Sequence, residues 1–203
     1  MRTLLILVLT ALVPASWNII NQDEKTNEKL TEADLKEYGK YNAGTTWTYK
    51  SDISHSGINS ATTFIKMAVV KHKDGVTFFD GEPSMFLAVK DGYLVNGYVG
   101  QDGELVYSMR ILKAGLTKGD SFDPYITDNV GTVKCTFEGF EDVEVPAGKF
   151  RAICIKWEAT AEEDVATKVV LKFWYAPKVG AVKSTIENNI VKGVRVLEKY
   201  TIK

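Results

Sequence analysis

Four Asp-Gly dipeptides, at 74–75, 80–81, 91–92 and 102–103, cut the first half of this chain into short pieces. Asp-Gly is a strong local signal for a tight turn between antiparallel strands, because both residues accept the positive φ such turns need. The intervening segments, Val76–Phe79, Ser84–Lys90, Tyr93–Val99 and Glu104–Ile111, are too short for ordinary helices and rich in Val, Phe, Tyr and Leu. Leu105, Tyr107, Met109 and Ile111 alternate with polar neighbours, as in a strand with one face buried. Thr45–Lys50 and Ala61–Lys71 read as strands before this series; Lys168–Tyr175, Ala181–Ile186 and Gly193–Ile202 follow later. In the last, Val194, Val196, Tyr200 and Ile202 are expected to share a face. Such spacing predicts an all-β chain, folded as an antiparallel meander.

A second turn lies at Pro146-Ala147-Gly148, between two alternating runs that predict a long hairpin over Val133–Trp157. With those three residues as the loop, Val145 faces Lys149, Cys135 faces Ala159 and Cys154 faces Phe140. The odd positions (Val133, Cys135, Phe137, Val143, Val145, Ile153, Ile155, Trp157) then form a core face. On the other, mostly charged face, Phe140, Phe150, Ala152 and Cys154 gather as an apolar patch that needs a cover. These four residues are the candidate ligand contacts; an apolar ligand, a partner, the helix at 32–38 or the loop at 113–130 could supply the cover. Cys135–Cys154 is the one disulfide this chain could form internally. The register argues against it, with about 16 Å of offset along the strands and the thiols on opposite faces.

The remaining signals bound the function. Residues 1–16 have the form of a secretory signal: Arg2, an uncharged run over Leu4–Val13, then Pro14-Ala15-Ser16. That run is too short to span a bilayer, and no Cys follows it, so the expectation is an extracytoplasmic protein, periplasmic or secreted, not membrane-spanning and not a lipoprotein. Residues 17–40 read as a polar leader, with a capping box at Thr31–Asp34 and a short helix over 32–38. No linker divides residues 41–203, which read as one β domain. A net charge of −1 gives no electrostatic case for nucleic acid. His55 and His72 have no ligand spacing around them, so neither a metal site nor any other cofactor is expected. No motif of nucleophilic catalysis occurs. The acidic pairs Glu141-Asp142, Glu162-Glu163 and Asp120/Asp123 leave a carboxylate-pair hydrolase as a remote alternative, provided two carboxylates face each other across a cleft. No catalytic residue is expected.

Four stretches carry a family resemblance: Tyr41–Tyr49 (with Gly44 and Trp47), Gly119–Phe122, Val145–Phe150 (with Pro146, Gly148 and Phe150) and Trp174–Lys183 (with Trp174, Pro177 and Gly180). Their order and spacing resemble the TapB-like family of exported bacterial β-proteins, largely of unknown function and named for a member associated with type IV pili. The resemblance implies a strongly curved antiparallel sheet or incomplete barrel, with these positions serving as turns and packing aromatics. The expectation is therefore a non-enzymatic β-domain that binds an apolar small molecule or a cell-envelope protein on its concave face. An assembly factor for surface appendages is the alternative.

Overall fold

The computed structural model describes residues 29–56, 58–82, 84–124, 132–160 and 168–203. The expected signal segment, most of the leader and the Glu162-Glu163 pair lie outside the described residues. One helix, α1 (Glu32–Gly39), precedes twelve strands: β1 (Thr46–His55), β2 (Ile58–Lys73), β3 (Val76–Phe79), β4 (Met85–Lys90), β5 (Tyr93–Val99), β6 (Leu105–Lys113), β7 (Ser121–Phe122), β8 (Thr132–Val145), β9 (Gly148–Thr160), β10 (Lys168–Ala176), β11 (Gly180–Glu187) and β12 (Val191–Thr201). They form one antiparallel sheet in the order β6-β5-β4-β3-β2-β1-β12-β11-β10-β9-β8-β7. Every neighbour but β1–β12 is consecutive in sequence, so the chain is two meanders joined where its first and last strands pair. The sheet curls into a nearly closed barrel. Its free edges meet at one backbone bond, Arg110 N–H to Pro124 O at 2.7 Å.

The helix forms where the capping box predicts it. Thr31 Oγ1 accepts from the Asp34 N–H at 3.2 Å, and the Asp34 carboxylate accepts from the Thr31 N–H at 2.8 Å. Leu35 and Tyr38, with Leu30 just ahead, are buried among Leu94, Ile111, Leu112 and Leu116 of the first meander and the strands after it. That cluster continues through Phe122, Cys135, Phe137, Ile153, Ile155 and Trp157, so it joins the two meanders across the concave side. The 113–130 stretch is only partly a loop. β6 runs to Lys113, β7 pairs with β8, and Leu116 is buried against Leu30.

Bulges correct three expectations about faces. In the β8–β9 hairpin the loop is two residues, Pro146-Ala147, and Val145 pairs with Gly148. The register then shifts between Phe137 and Gly139, so Cys135 pairs with Trp157 and Gly139 with Cys154. The extra residue, Glu138, swaps the two faces of β8 beyond it. Gly139 takes φ 106°, which a side chain at this position would oppose. In β6 the register shifts opposite Leu94/Val95 and Asn96/Gly97, so the even alternation of Leu105 to Ile111 is broken. Leu105 and Tyr107 pack with Phe86 on one face, and Met109 and Ile111 belong to the concave cluster. In β12 a shift opposite Thr48/Tyr49 puts Tyr200 on the face of Leu197, opposite Val194 and Val196.

Candidate functional site

The predicted patch of Phe140, Phe150, Ala152 and Cys154 does not exist as one surface. Phe140 lies beyond the bulge, pairs with Ile153 and packs edge-on to Phe137 at 5.6 Å on the concave side. Phe150, Ala152 and Cys154 share the other face with Val143 and Val145, packed with Trp174 and Val182. The protein covers these residues itself. The hairpin tip turns back over the sheet, Ala147 N–H donates to Leu197 O, and the Phe150 ring meets Tyr200 at 6.0 Å.

Both cysteines are free and fully buried. Cys135 and Cys154 belong to different clusters on opposite faces. The offset is shorter than expected, three positions or about 10 Å along the strand. Burial pushes both thiols up, that of Cys154 to about 12.

Near Cys154, one ligand atom each of Glu138, Glu141 and Cys154 lies within 4.8 Å of the others. This polar cluster is satisfied from within. Lys172 Nζ sits 2.5 Å and Lys156 Nζ 3.7 Å from the Glu138 carboxylate, the Cys154 thiol donates to Glu138 at 3.6 Å, and Trp174 Nε1 donates to Glu141 at 2.8 Å. A lysine fills the place a cation would take, and the thiol stays protonated. Burial pulls the Glu138 pKa up, but Lys172, the Cys154 hydrogen bond and the Lys156 charge together outweigh it, leaving the group below its ordinary value.

The other acidic candidates are also engaged locally. Asp142 pairs with Arg151 at 3.7 Å, and Asp120 accepts from the Thr117 N–H at 2.8 Å within one turn. Of the histidines, His55 is exposed, and His72 Nδ1 lies 2.8 Å from Thr77 Oγ1.

The motif residues prove to be packing and turn elements. Gly44, Gly148 and Gly180 all have positive φ. A Cβ on Gly180 would come within 3.0 Å of the Tyr41 hydroxyl. Trp47 Nε1 donates to Val179 O at 2.7 Å, and its ring meets Tyr41 edge-on at 5.0 Å. Pro146 and Pro177 are exposed in their turns.

What the sequence did not disclose is a cavity of about 300 Å³ on the concave side, within the usual range of about 300–1,000 Å³ for small-molecule sites. Trp47, Tyr49, Phe79, Leu94, Phe173 and Tyr175 supply most of its apolar wall. A second cavity of about 310 Å³, walled by Ile53, Leu171 and Ile186, shares Phe173, Ser184 and Arg195 with the first. The shared residues lie along a row of cross-strand partners: Ser51 on β1 pairs with Arg195 on β12, which pairs with Ser184 on β11, which pairs with Phe173 on β10. Burial pushes the phenols of Tyr41, Tyr49 and Tyr175 up, so all three stay neutral; the Arg195 charge offsets this in part at Tyr49. The Tyr41 hydroxyl is used up on Tyr38 O at 2.7 Å and that of Tyr49 on Ala181 O at 3.0 Å. Tyr175, which stacks on Phe173 with ring centroids 6.2 Å apart, has no hydrogen-bond partner for its hydroxyl among the described residues. The signal for this site was faint: a single Arg between two valines on the last strand.

Residues 112–192 match the model of the DUF3108-like family, which covers β7 to β11 and their surroundings. The whole fold is similar to that of a protein from Bacteroides fragilis described as exported and of YmcC-like fold. The TM-score is 0.53 at 18% identity, over 81% of this chain and 99% of that one. A protein from Parabacteroides distasonis described as a lipoprotein gives a TM-score of 0.49 at 14% identity, over 81% and 98% of the two chains. No curated protein matches the chain in sequence. The class defined is thus a mainly β, nearly closed barrel, residues 112–192 of which are similar to the DUF3108-like family. Among the described residues, no helix is long and apolar enough to cross a membrane.

Proposed function

We propose that this is a non-enzymatic, extracytoplasmic binding domain whose concave cavity takes an apolar small molecule. The observation that carries the reading is the aromatic chamber of about 300 Å³ around Tyr175, left open although the protein covers Phe150, Ala152 and Cys154 itself. Apolar surface kept open in this way forgoes dispersion and burial energy of about 25 cal/mol per Å², which a ligand recovers. The signal-like residues 1–16 and the likeness to an exported protein support the location. The acidic pairs favour no hydrolase, since those described are bonded to local partners and none lines the chamber. The narrower pilus-associated resemblance would make the partner an envelope protein; it rests on turn and packing residues. Native mass spectrometry of the purified protein after incubation with cell-envelope lipid extract tests the reading. A bound species of small-molecule mass is expected. Apoprotein alone, with Tyr175→Trp leaving every measured property unchanged, would refute it.

A further inference from the structure

The row Ser51–Arg195–Ser184 says what kind of molecule the chamber would take. Building on the binding reading above, we infer that the ligand is a single-chain amphiphile with an anionic head, a carboxylate or a phosphate. Its tail lies in the aromatic chamber and its head against Arg195. Arg195 and Lys183 are the positive residues along the two cavities, Lys183 with its ammonium on the far face of β11, and no acidic residue lines either. Lys183 is already placed over the Trp174 ring at 4.9 Å. Arg195 makes no ion pair or hydrogen bond with any described residue, although its neighbours at the surface do: Lys50 with Asp52 at 3.0 Å and Lys192 with Glu187 at 2.7 Å. Its five donors are therefore free for a planar or tetrahedral oxyanion.

The hydroxyls beside it point the same way. Ser51 is only 3% exposed, lines the second cavity, and has no hydrogen-bond partner among the described residues. Ser184 lines both cavities and is likewise unpartnered. No fully enclosed side-chain polar atom among the described residues lacks a partner, so both hydroxyls keep some access to solvent. Buried polar groups are normally satisfied within the protein, and of the three Ser51 is buried, Ser184 half-buried and Arg195 exposed at the mouth of the row. Two hydroxyls and a guanidinium left open in one cross-strand row, next to an apolar chamber, form a donor cradle with an oily room behind it. The Tyr175 hydroxyl adds a donor deeper in.

Isothermal titration of the purified protein with laurate, dodecyl phosphate, dodecanol and inorganic phosphate tests this. Wild type is expected to bind one or both anionic amphiphiles at least about ten-fold more tightly than dodecanol; whichever is tighter identifies the head. Inorganic phosphate alone should bind far more weakly. Arg195→Gln should erase the preference for the anionic chains while leaving the melting temperature unchanged, and Arg195→Lys should keep part of it. Equal affinity for laurate, dodecyl phosphate and dodecanol would overturn the inference and leave the apolar-cavity reading standing. Binding of none of the three chains would overturn both. Inorganic phosphate binding as tightly as dodecyl phosphate would overturn the amphiphile and leave a bare anion site.

Discussion

Strand β10 separates two polar clusters that are opposite in state. On one face, Glu138, Glu141, Cys154 and Lys172 gather beside Trp174; Glu138 accepts from Lys172 and Cys154, and Glu141 from Trp174 Nε1. On the other, Ser51, Ser184 and Arg195 gather beside Phe173 and Tyr175, and none finds a partner among the described residues. The first cluster has the ingredients usually read as a site: carboxylates and a thiol close together. Its polar groups are already engaged, so it fastens the β8–β9 hairpin to β10. The second has no reactive group and spends nothing internally. Proximity of polar side chains is a poor guide to function; whether their bonds are already made is a better one.

Substitutions can break that contrast, beginning with the bulge that creates it. Gly139→Val places a β-branched residue at φ 106° and should cost about 2–3 kcal/mol, read as a shift in the urea midpoint. A midpoint unchanged from wild type would mean that the hairpin tolerates the unbulged register. Lys172→Met leaves the Glu138 carboxylate without its nearest partner. Because Glu138 is still 23% exposed, the loss should be about 1–2 kcal/mol. Arg195→Gln, on the open face, should move stability by no more than about 0.5 kcal/mol. Equal losses in the two variants would erase the distinction.

Acid should act on one face only. Glu138 has a pKa below its ordinary value in the folded protein, so its contribution is present above the unfolded value of about 4.3 and fades as pH falls through the lower folded one. Glu138→Gln should therefore flatten the stability loss below about pH 4.3, and Ser51→Ala should not. Smallest of all is a pair of hydroxyl deletions. Tyr49→Phe removes the bond to Ala181 O and should cost about 1 kcal/mol, whereas Tyr175→Phe removes a hydroxyl with no protein partner and should cost nothing measurable. A loss at Tyr175 equal to that at Tyr49 would place a hidden partner there.

The meander was legible because turn chemistry is local: Asp-Gly dipeptides, the Pro146-Ala147 corner and the Thr31–Asp34 cap each act within four residues. The all-β class, the strand series and the short helix followed directly. Faces were less legible, because one inserted residue reverses everything beyond it. Gly139, a glycine inside a strand pattern, was the available sign of a bulge in β8, and overlooking it produced the false patch joining Phe140 to Phe150 and Cys154. The bulges in β6 and β12 carry no such glycine, and their residues look like ordinary strand. The cavity was least legible. Ser51, Ser184 and Arg195 lie on three strands far apart in the chain, and only the β1–β12 pairing brings Ser51 beside Arg195. Nothing in a local window predicts which inward-facing polar residue will lack a partner.

The account stands on the chamber around Tyr175 being a place kept open for a ligand. The most direct measurement is a crystal structure of the protein purified from envelope extract without detergent. The account predicts continuous elongated density against Phe173 and Tyr175, ending in a compact head within hydrogen-bonding distance of Arg195. A chamber closed by its own side chains, with Leu87 and Met67 turned in to fill it, would contradict the account.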